Sequence, residues 1–176
     1  MMNKKLIAIL CLVFFASNAL IAQNKYVGAK TCKMCHNKPA TGEQYNQWSN
    51  TLHSKAFTAL SSEAALTYAK ANNIADPSKE AKCLKCHSTA AAVDASLLEV
   101  SITKEEGVSC ESCHGPGSVY KSMTIMKDKA TALKNGLIIP DETTCVKCHT
   151  AEGNPFFKPF DYATAVAKIS HKDPSK

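Results

Sequence analysis

Hydrophobic residues in this chain form one long run near the start, followed only by short periodic segments. Residues 6–15 are all apolar, come after two lysines and precede a stretch of small residues. This order is typical of a secretory signal, and the run is short for a membrane span. We expect cleavage after Ala22 or Ala19. The sequence thus predicts a signal peptide at 1–22 and one mature domain at 23–176.

The mature part contains amphipathic stretches separated by Pro, Gly and Asn. The predicted helices are 43–60, 63–72, 120–135 and a last one from Asp161 towards His171. The expected caps and stops are Ser62, Asn73, Gly136, Asp141 and Asp161. Residues 90–104 fit either a loop or a short helix. The predicted fold class is mostly α and irregular, with short helices, long connections and almost no sheet.

The motif Cys-x-x-Cys-His occurs four times. Its copies are Cys32, Cys35 and His36; Cys83, Cys86 and His87; Cys110, Cys113 and His114; and Cys145, Cys148 and His149. This is the attachment signature of c-type haem, in which two thiols form thioethers with the ring and the histidine binds the iron. Zinc sites and disulfides also use paired cysteines, but neither requires a histidine after every second cysteine. The sequence therefore predicts four covalently bound haem c groups.

Four haems change the expected architecture. Apart from Cys11 in the apolar run, every cysteine belongs to a motif, so none is left for a disulfide, another metal or a nucleophile. About 40 residues per haem cannot surround each ring with a thick protein shell. We therefore expect the helices and loops to wrap around four closely packed haems that form much of the core.

Four irons have eight axial positions, but the chain has six histidines. Four of these belong to the motifs, so only His53 and His171 remain. His53 shares a predicted apolar stripe with Phe57 and Leu60, and we interpret both His53 and His171 as iron ligands. At most two haems can then have two histidines. The other two need methionine, another residue, a partner's ligand, water, or no sixth ligand.

The charge pattern excludes some functions. The formal net charge is +6, and all of the positive charge comes from lysine because the chain has no arginine. Haem propionates would offset this excess, and without arginine there is no bidentate reader of bases. We therefore predict no nucleic-acid partner, and membrane contact only through the signal segment or a partner. Glu105 and Glu106 form an acidic pair that we interpret as a solvated face.

Several segments resemble the tetrahaem cytochromes of the cytochrome c554 family. The similar segments are 26–29, Trp48-Ser49 with His53, Ala56 and Phe57, 107–118 around the third motif, and 160–171. The resemblance implies a mostly helical fold with stacked and edge-on haem pairs. It also implies that His114 and His53 ligate the third haem, that His149 and His171 ligate the fourth, and that His87 alone holds the second.

The sequence departs from the family pattern after Ser118. The family usually places there a histidine that ligates the first haem, whereas this chain has Tyr120. Lys121, Met123 and Met126 are nearby alternatives, and an open or water-bound iron is another.

The expected function is electron transfer in the periplasm or outside the inner membrane, with redox proteins as donor and acceptor. A second hypothesis is a redox enzyme for a small nitrogen or oxygen species, such as nitric oxide, at an open haem. A third, less favoured one is a filament subunit in which a neighbour's histidine fills the vacant position, but the chain has no spare histidine to donate.

Overall fold

A computed structural model describes residues 23–171 and shows a chain of short helices joined by turns and loops. The ten α-helices of this part are α1 (Ala29–His36), α2 (Gln44–Ser49), α3 (Ala56–Ala59), α4 (Glu63–Ala71), α5 (Ala81–His87), α6 (Cys110–His114), α7 (Met123–Met126), α8 (Lys129–Lys134), α9 (Glu142–Cys145) and α10 (Tyr162–Ile169). The predicted fold class is confirmed.

Other regular structure in this part is sparse. Three 3₁₀ turns are found, at Pro39–Thr41, Ala95–Leu97 and Lys104–Glu106. The region 90–104 is thus mainly loop, and an isolated parallel bridge joins Tyr26 to Leu98. Between residues 23 and 171, no helix is long and apolar enough to cross a membrane. The signal predicted at 1–22 lies outside the described residues.

Helix ends follow the local signals in the sequence. Ser62 accepts a hydrogen bond from the Ala65 amide at the start of α4, and Asn73 just beyond the end of α4 has φ 55°. Asp141 caps α9 and Asp161 caps α10, each by accepting a bond from the amide three residues later. These caps were predicted correctly.

The predicted helix 43–60 was wrong in its middle. Polar side chains between α2 and α3 bond back to nearby carbonyls: Thr51 to Trp48, and Ser54 to both Ser49 and Thr51. Such bonds offer the backbone an alternative to the helix. His53 consequently lies in a turn. The predicted helix 120–135 is also divided, because Asp128 caps a new helix, α8.

The apolar interior of the polypeptide is small. The buried hydrophobic residues are Val27, Ala29, Leu60, Ala69, Leu84, Ala90, Ile102, Tyr120 and Ala132. Four of the nine are alanines, which bury little area each. Four polar residues are buried beside them: Ser88, Thr89, Ser109 and Glu111. Much of the organisation therefore comes from hydrogen bonds between distant segments.

One of these connections between distant segments depends on Gly107. This residue has φ +67°, and its carbonyl accepts a bond from the Thr89 amide, while the Val108 amide donates to the His53 carbonyl. A Cβ at Gly107 would lie 2.7 Å from that same His53 oxygen. Glycine is thus required where the His53 turn meets the approach to the third motif.

We predict that Gly107→Ala destabilises the protein by about 1–3 kcal/mol more than Gly153→Ala, because only the first adds a backbone clash. Gly153 is the matched control, since it has φ +69° with nothing within 4 Å of its built Cβ. Thermal unfolding of both purified variants would measure the difference. Equal losses of stability would contradict the role of the close backbone contact at Gly107.

Candidate haem-attachment sites

The four motifs occupy the ends of short helices. The first lies in α1, the second in α5 and the third in α6, and each of these helices ends at its motif histidine. The fourth begins at the end of α9 and continues into a turn that holds Cys148 and His149. A helical turn brings residues i, i+3 and i+4 onto one face. Each motif can therefore present both thiols and its imidazole to one flat ring.

Cys35 differs from the other predicted attachment cysteines, because it is exposed whereas the remaining seven are half-buried. The reason lies in α1, which buries only its first residue, Ala29, so that its last turn faces solvent. Met34, next to Cys35, is 72% exposed. The first motif therefore lies at the protein surface.

The thiols of different motifs are neighbours. Contact with Cys32 of the first motif, and then burial, raises the pKa of the Cys110 thiol in the third motif. Burial, and then the nearby Cys86 of the second motif, raises the pKa of Cys148 in the fourth motif to about 12. Cys113 and Cys145 also interact, which joins the third motif to the fourth. Cysteines of the first and third, the third and fourth, and the second and fourth motifs therefore influence one another.

The third motif is also tied to the second by polar contacts. The Thr89 hydroxyl accepts from the Ser109 amide at 2.7 Å and lies 2.6 Å from the Ser112 hydroxyl. Thr89 follows His87 by two residues. These hydrogen bonds therefore hold the segment that follows the second motif against the third motif and the residue before it.

The histidines form two close pairs. The ring centres of His53 and His149 are 6.1 Å apart with the rings inclined at 76°. Those of His114 and His171 are 6.0 Å apart and inclined at 61°. Imidazoles bound to opposite sides of one iron have centres about 6 Å apart, since each metal–nitrogen bond is about 2 Å long. Both pairs therefore have the separation that a bis-histidine haem requires.

These pairs differ from those implied by the family resemblance. His53 faces the fourth-motif histidine, and His171 faces the third-motif histidine, so the two non-motif histidines are exchanged. The sequence could not give the ring directions, because His53 lies in a turn and His171 lies beyond the end of α10. Phe160 also stacks on His149, with ring centres 4.6 Å apart.

Backbone and amide oxygens orient four of the rings. His87 Nδ1 lies 2.6 Å from the Ala56 carbonyl oxygen and His114 Nδ1 lies 3.1 Å from that of Ile138. Such an oxygen only accepts, so Nδ1 carries the proton and Nε2 is free for a metal. His36 has the same arrangement with Gln44, and His171 with the Ile169 carbonyl. Sequence reasoning missed these partners, since carbonyl contacts leave no residue-type signal.

Burial lowers the pKa of His53 and of His114. Nearby imidazoles, His149 and His171 respectively, lower these pKa values further. Both rings are therefore neutral near pH 7, which is the form that binds a metal.

All eight thiols of residues 23–171 are free, with no disulfide between them. In the same part of the chain, no three His, Cys, Asp or Glu side chains converge closely enough to hold a metal ion by themselves.

Comparison with known proteins agrees with the interpretation of the motifs as haem-attachment sites. The family model described as cytochrome c554 and c-prime matches residues 31–115, which include the first three motifs. Cytochrome c-554 of Nitrosomonas europaea is 29% identical over 175 residues, covering 86% of this chain and 69% of that protein. No solved structure matches the chain.

These similarities support assignment of the chain to the cytochrome c554 family. They support a c-type cytochrome that carries covalently bound haem and takes part in electron transfer.

The Tyr120 hydroxyl already has a hydrogen-bond partner. It donates to the buried Gly115 carbonyl at 2.7 Å. Burial, and then the charge of Glu111, raises the pKa of Tyr120, so the phenol stays protonated. A phenolate ligand at this position is thus disfavoured. Of the other candidates for the first haem, Lys121 and Met123 are exposed, and Met126 is half-buried.

We predict that Tyr120→Phe leaves the haem absorption and spin-state spectra unchanged but destabilises the cytochrome by about 1–3 kcal/mol. The loss follows because the buried Gly115 carbonyl would have no donor. Optical and electron paramagnetic resonance spectra with thermal unfolding would measure both effects. A new high-spin signal would instead identify Tyr120 as a ligand.

Proposed function

We propose that this cytochrome is a four-haem electron carrier in which the haems lie in the order first, third, fourth, second. The contacts of Cys32 with Cys110, Cys113 with Cys145 and Cys86 with Cys148 carry the proposal. Groups attached at neighbouring thiols lie close together. Electrons would then enter and leave at the haems of the first and second motifs, which form the two ends.

The exposure of Cys35 supports an end position for the first haem. A ring attached at an exposed thiol has an edge near the protein surface, where a redox partner can approach it. Cys32 of the same motif is half-buried and faces the third motif, so the opposite side of the ring points into the haem chain.

The ligand sets proposed for the irons follow from the ring positions. His53 and His149 hold the fourth iron, and His114 and His171 hold the third. His36 and His87 are the motif ligands of the two end haems. All six histidines are assigned by this scheme, so neither end haem has a second histidine from this chain.

The protein's own contribution is to attach, orient and shield the haems. Bound haems supply one-electron reduction and oxidation. The cysteines fix each ring to a helix, the carbonyl acceptors fix the imidazole tautomers, and the packing of the motifs sets the separations.

Our proposed location is the periplasm or the outside of the inner membrane. It is supported by the signal pattern of residues 1–22 and by the attachment motifs. The proposed partners are a redox protein that donates electrons and another that accepts them.

A second candidate function is reduction or oxidation of a small nitrogen or oxygen species. The observation that favours it is that no histidine of this chain remains to face His87 or His36. An iron open at either position can bind a small molecule.

The histidine assignment predicts that His53→Ala converts the fourth haem from low-spin to high-spin, and that His171→Ala converts the third. Each substitution removes one of two strong-field ligands. Paramagnetic NMR, which resolves individual haems, would identify the haem that changes. Each variant is a matched control for the other, and a change at the opposite haem would restore the pairing implied by the resemblance.

The function is tested on the purified holoprotein. A pyridine haemochrome assay should give four haems per chain, and three or fewer in fully matured protein would contradict the carrier scheme. Nitric oxide or cyanide is then added in both oxidation states. Slow or absent binding with rapid electron exchange supports the carrier, whereas rapid binding with turnover from an electron donor supports the enzyme.

A further inference from the structure

The largest fully buried side chain in the described part of the chain is a carboxylate. Glu111 occupies the first variable position of the third motif and is 1% exposed. Burial of a charge is costly unless other groups compensate it. Glu111 is therefore a fully buried acidic side chain at a motif position where the attachment chemistry does not require a particular residue.

Three backbone amides compensate this carboxylate. The Val27 amide donates to both oxygens at 2.9 Å, the Gly28 amide donates to Oε2 at 2.7 Å, and the Gly117 amide donates to Oε1 at 2.7 Å. The one ion pair found within residues 23–171 joins Lys79 to Asp76, so no cation pairs with Glu111. Three amide dipoles therefore point at the carboxylate oxygens, and no cation of this part of the chain lies against them.

The position of this charge joins two haem motifs. Val27 and Gly28 come immediately before α1, which carries the first motif, while Glu111 itself lies in α6 with the third. The charge reaches both Cys32 and Cys110, where it opposes the loss of a thiol proton. Gly117 is small for the same reason, because a Cβ there would lie 3.0 Å from Glu111 Oε1.

A nearby negative charge favours the oxidised, more positive state of a haem and lowers its reduction potential. A buried charge acts more strongly than an exposed one, because water screens it less. The charge of Glu111 acts on cysteines of the first and third motifs. Its effect should therefore be largest at the first and third haems.

We propose that Glu111 is a fixed negative charge shared by the first and third haems, which docks α1 onto α6 and lowers the reduction potentials of both haems. This inference rests on the proposed function, since it requires haems at both motifs.

Glu111→Gln tests the charge with little change in volume. At a fixed ambient potential, the ratio of reduced to oxidised first and third haems should rise about tenfold, equivalent to about 59 mV for a one-electron couple. The second and fourth haems should change much less. A redox titration followed by NMR would resolve each haem. An equal shift of all four haems, or of none, would overturn the proposal.

Glu105→Gln is the matched control. It removes the same charge six residues earlier, from an exposed side chain. It should leave all four potentials near those of the unmodified protein. A shift as large as that of Glu111→Gln would show that net charge alone is responsible, which would overturn the specific role of Glu111.

Glu111→Asp separates charge from docking and provides a second test where the glutamine variant does not mature. It keeps the charge but loses reach, so the thermal midpoint should fall while the first and third potentials stay near those of the unmodified protein. A tenfold change in this variant would show that packing, and not charge, sets the potentials.

Measurements on the unmodified protein distinguish failure of this inference from failure of the proposed function. Four haems and rapid electron exchange in the unmodified protein, with no shift in Glu111→Gln, would overturn only this inference. A missing first or third haem in the unmodified protein would overturn the proposed function as well.

Discussion

The structure depends on burying apolar surface that the polypeptide largely lacks. The few buried hydrophobic residues include four alanines, and no described helix is longer than nine residues. Helices of this length are marginal by themselves and need packing against a partner. In a c-type cytochrome that partner is the haem, whose flat apolar face can lie against a helix end. Short helices and small side chains are thus consistent with a core made largely of cofactor.

Where apolar packing is scarce, backbone amides and polar side chains hold distant segments together. Glu111 joins the segment before α1 to α6, while Thr89 joins the end of the second motif to Ser109 and Ser112. Such bonds are directional and expensive to leave unmade when buried. They specify one arrangement of the motifs more sharply than nonspecific contact between alanines could. Each of these hydrogen bonds involves the third motif or the residue just before it, so this segment links the others.

Local features could be predicted from the sequence, whereas features that depend on distant contacts could not. The fold class and the caps depend on neighbouring residues, and the structure agrees with them. The break after α2 was missed because the prediction relied on the apolar spacing. It gave too little weight to the polar side chains that compete with the helix. Motif spacing also could not show that Cys35 faces solvent while Cys32 does not. Glu105 is exposed as expected, but Glu106 is half-buried and accepts a bond from the Ala29 amide at 2.8 Å. The close histidine pairs and the amide contacts of Glu111 could not be predicted for the same reason, since ring directions depend on turns and backbone amides have no signature in a sequence.

Two of the three amides that hold Glu111 precede it by more than 80 residues, with separations of 84 for Val27 and 83 for Gly28. That separation affects how the molecule can be assembled. Translation proceeds from the N-terminus, so the first motif emerges long before the carboxylate to which its helix docks. Closing a loop of this length costs entropy, and contacts between distant residues slow folding. Docking of α1 through these amides must therefore await synthesis of the third motif, so the first motif cannot reach its final position before the third is present.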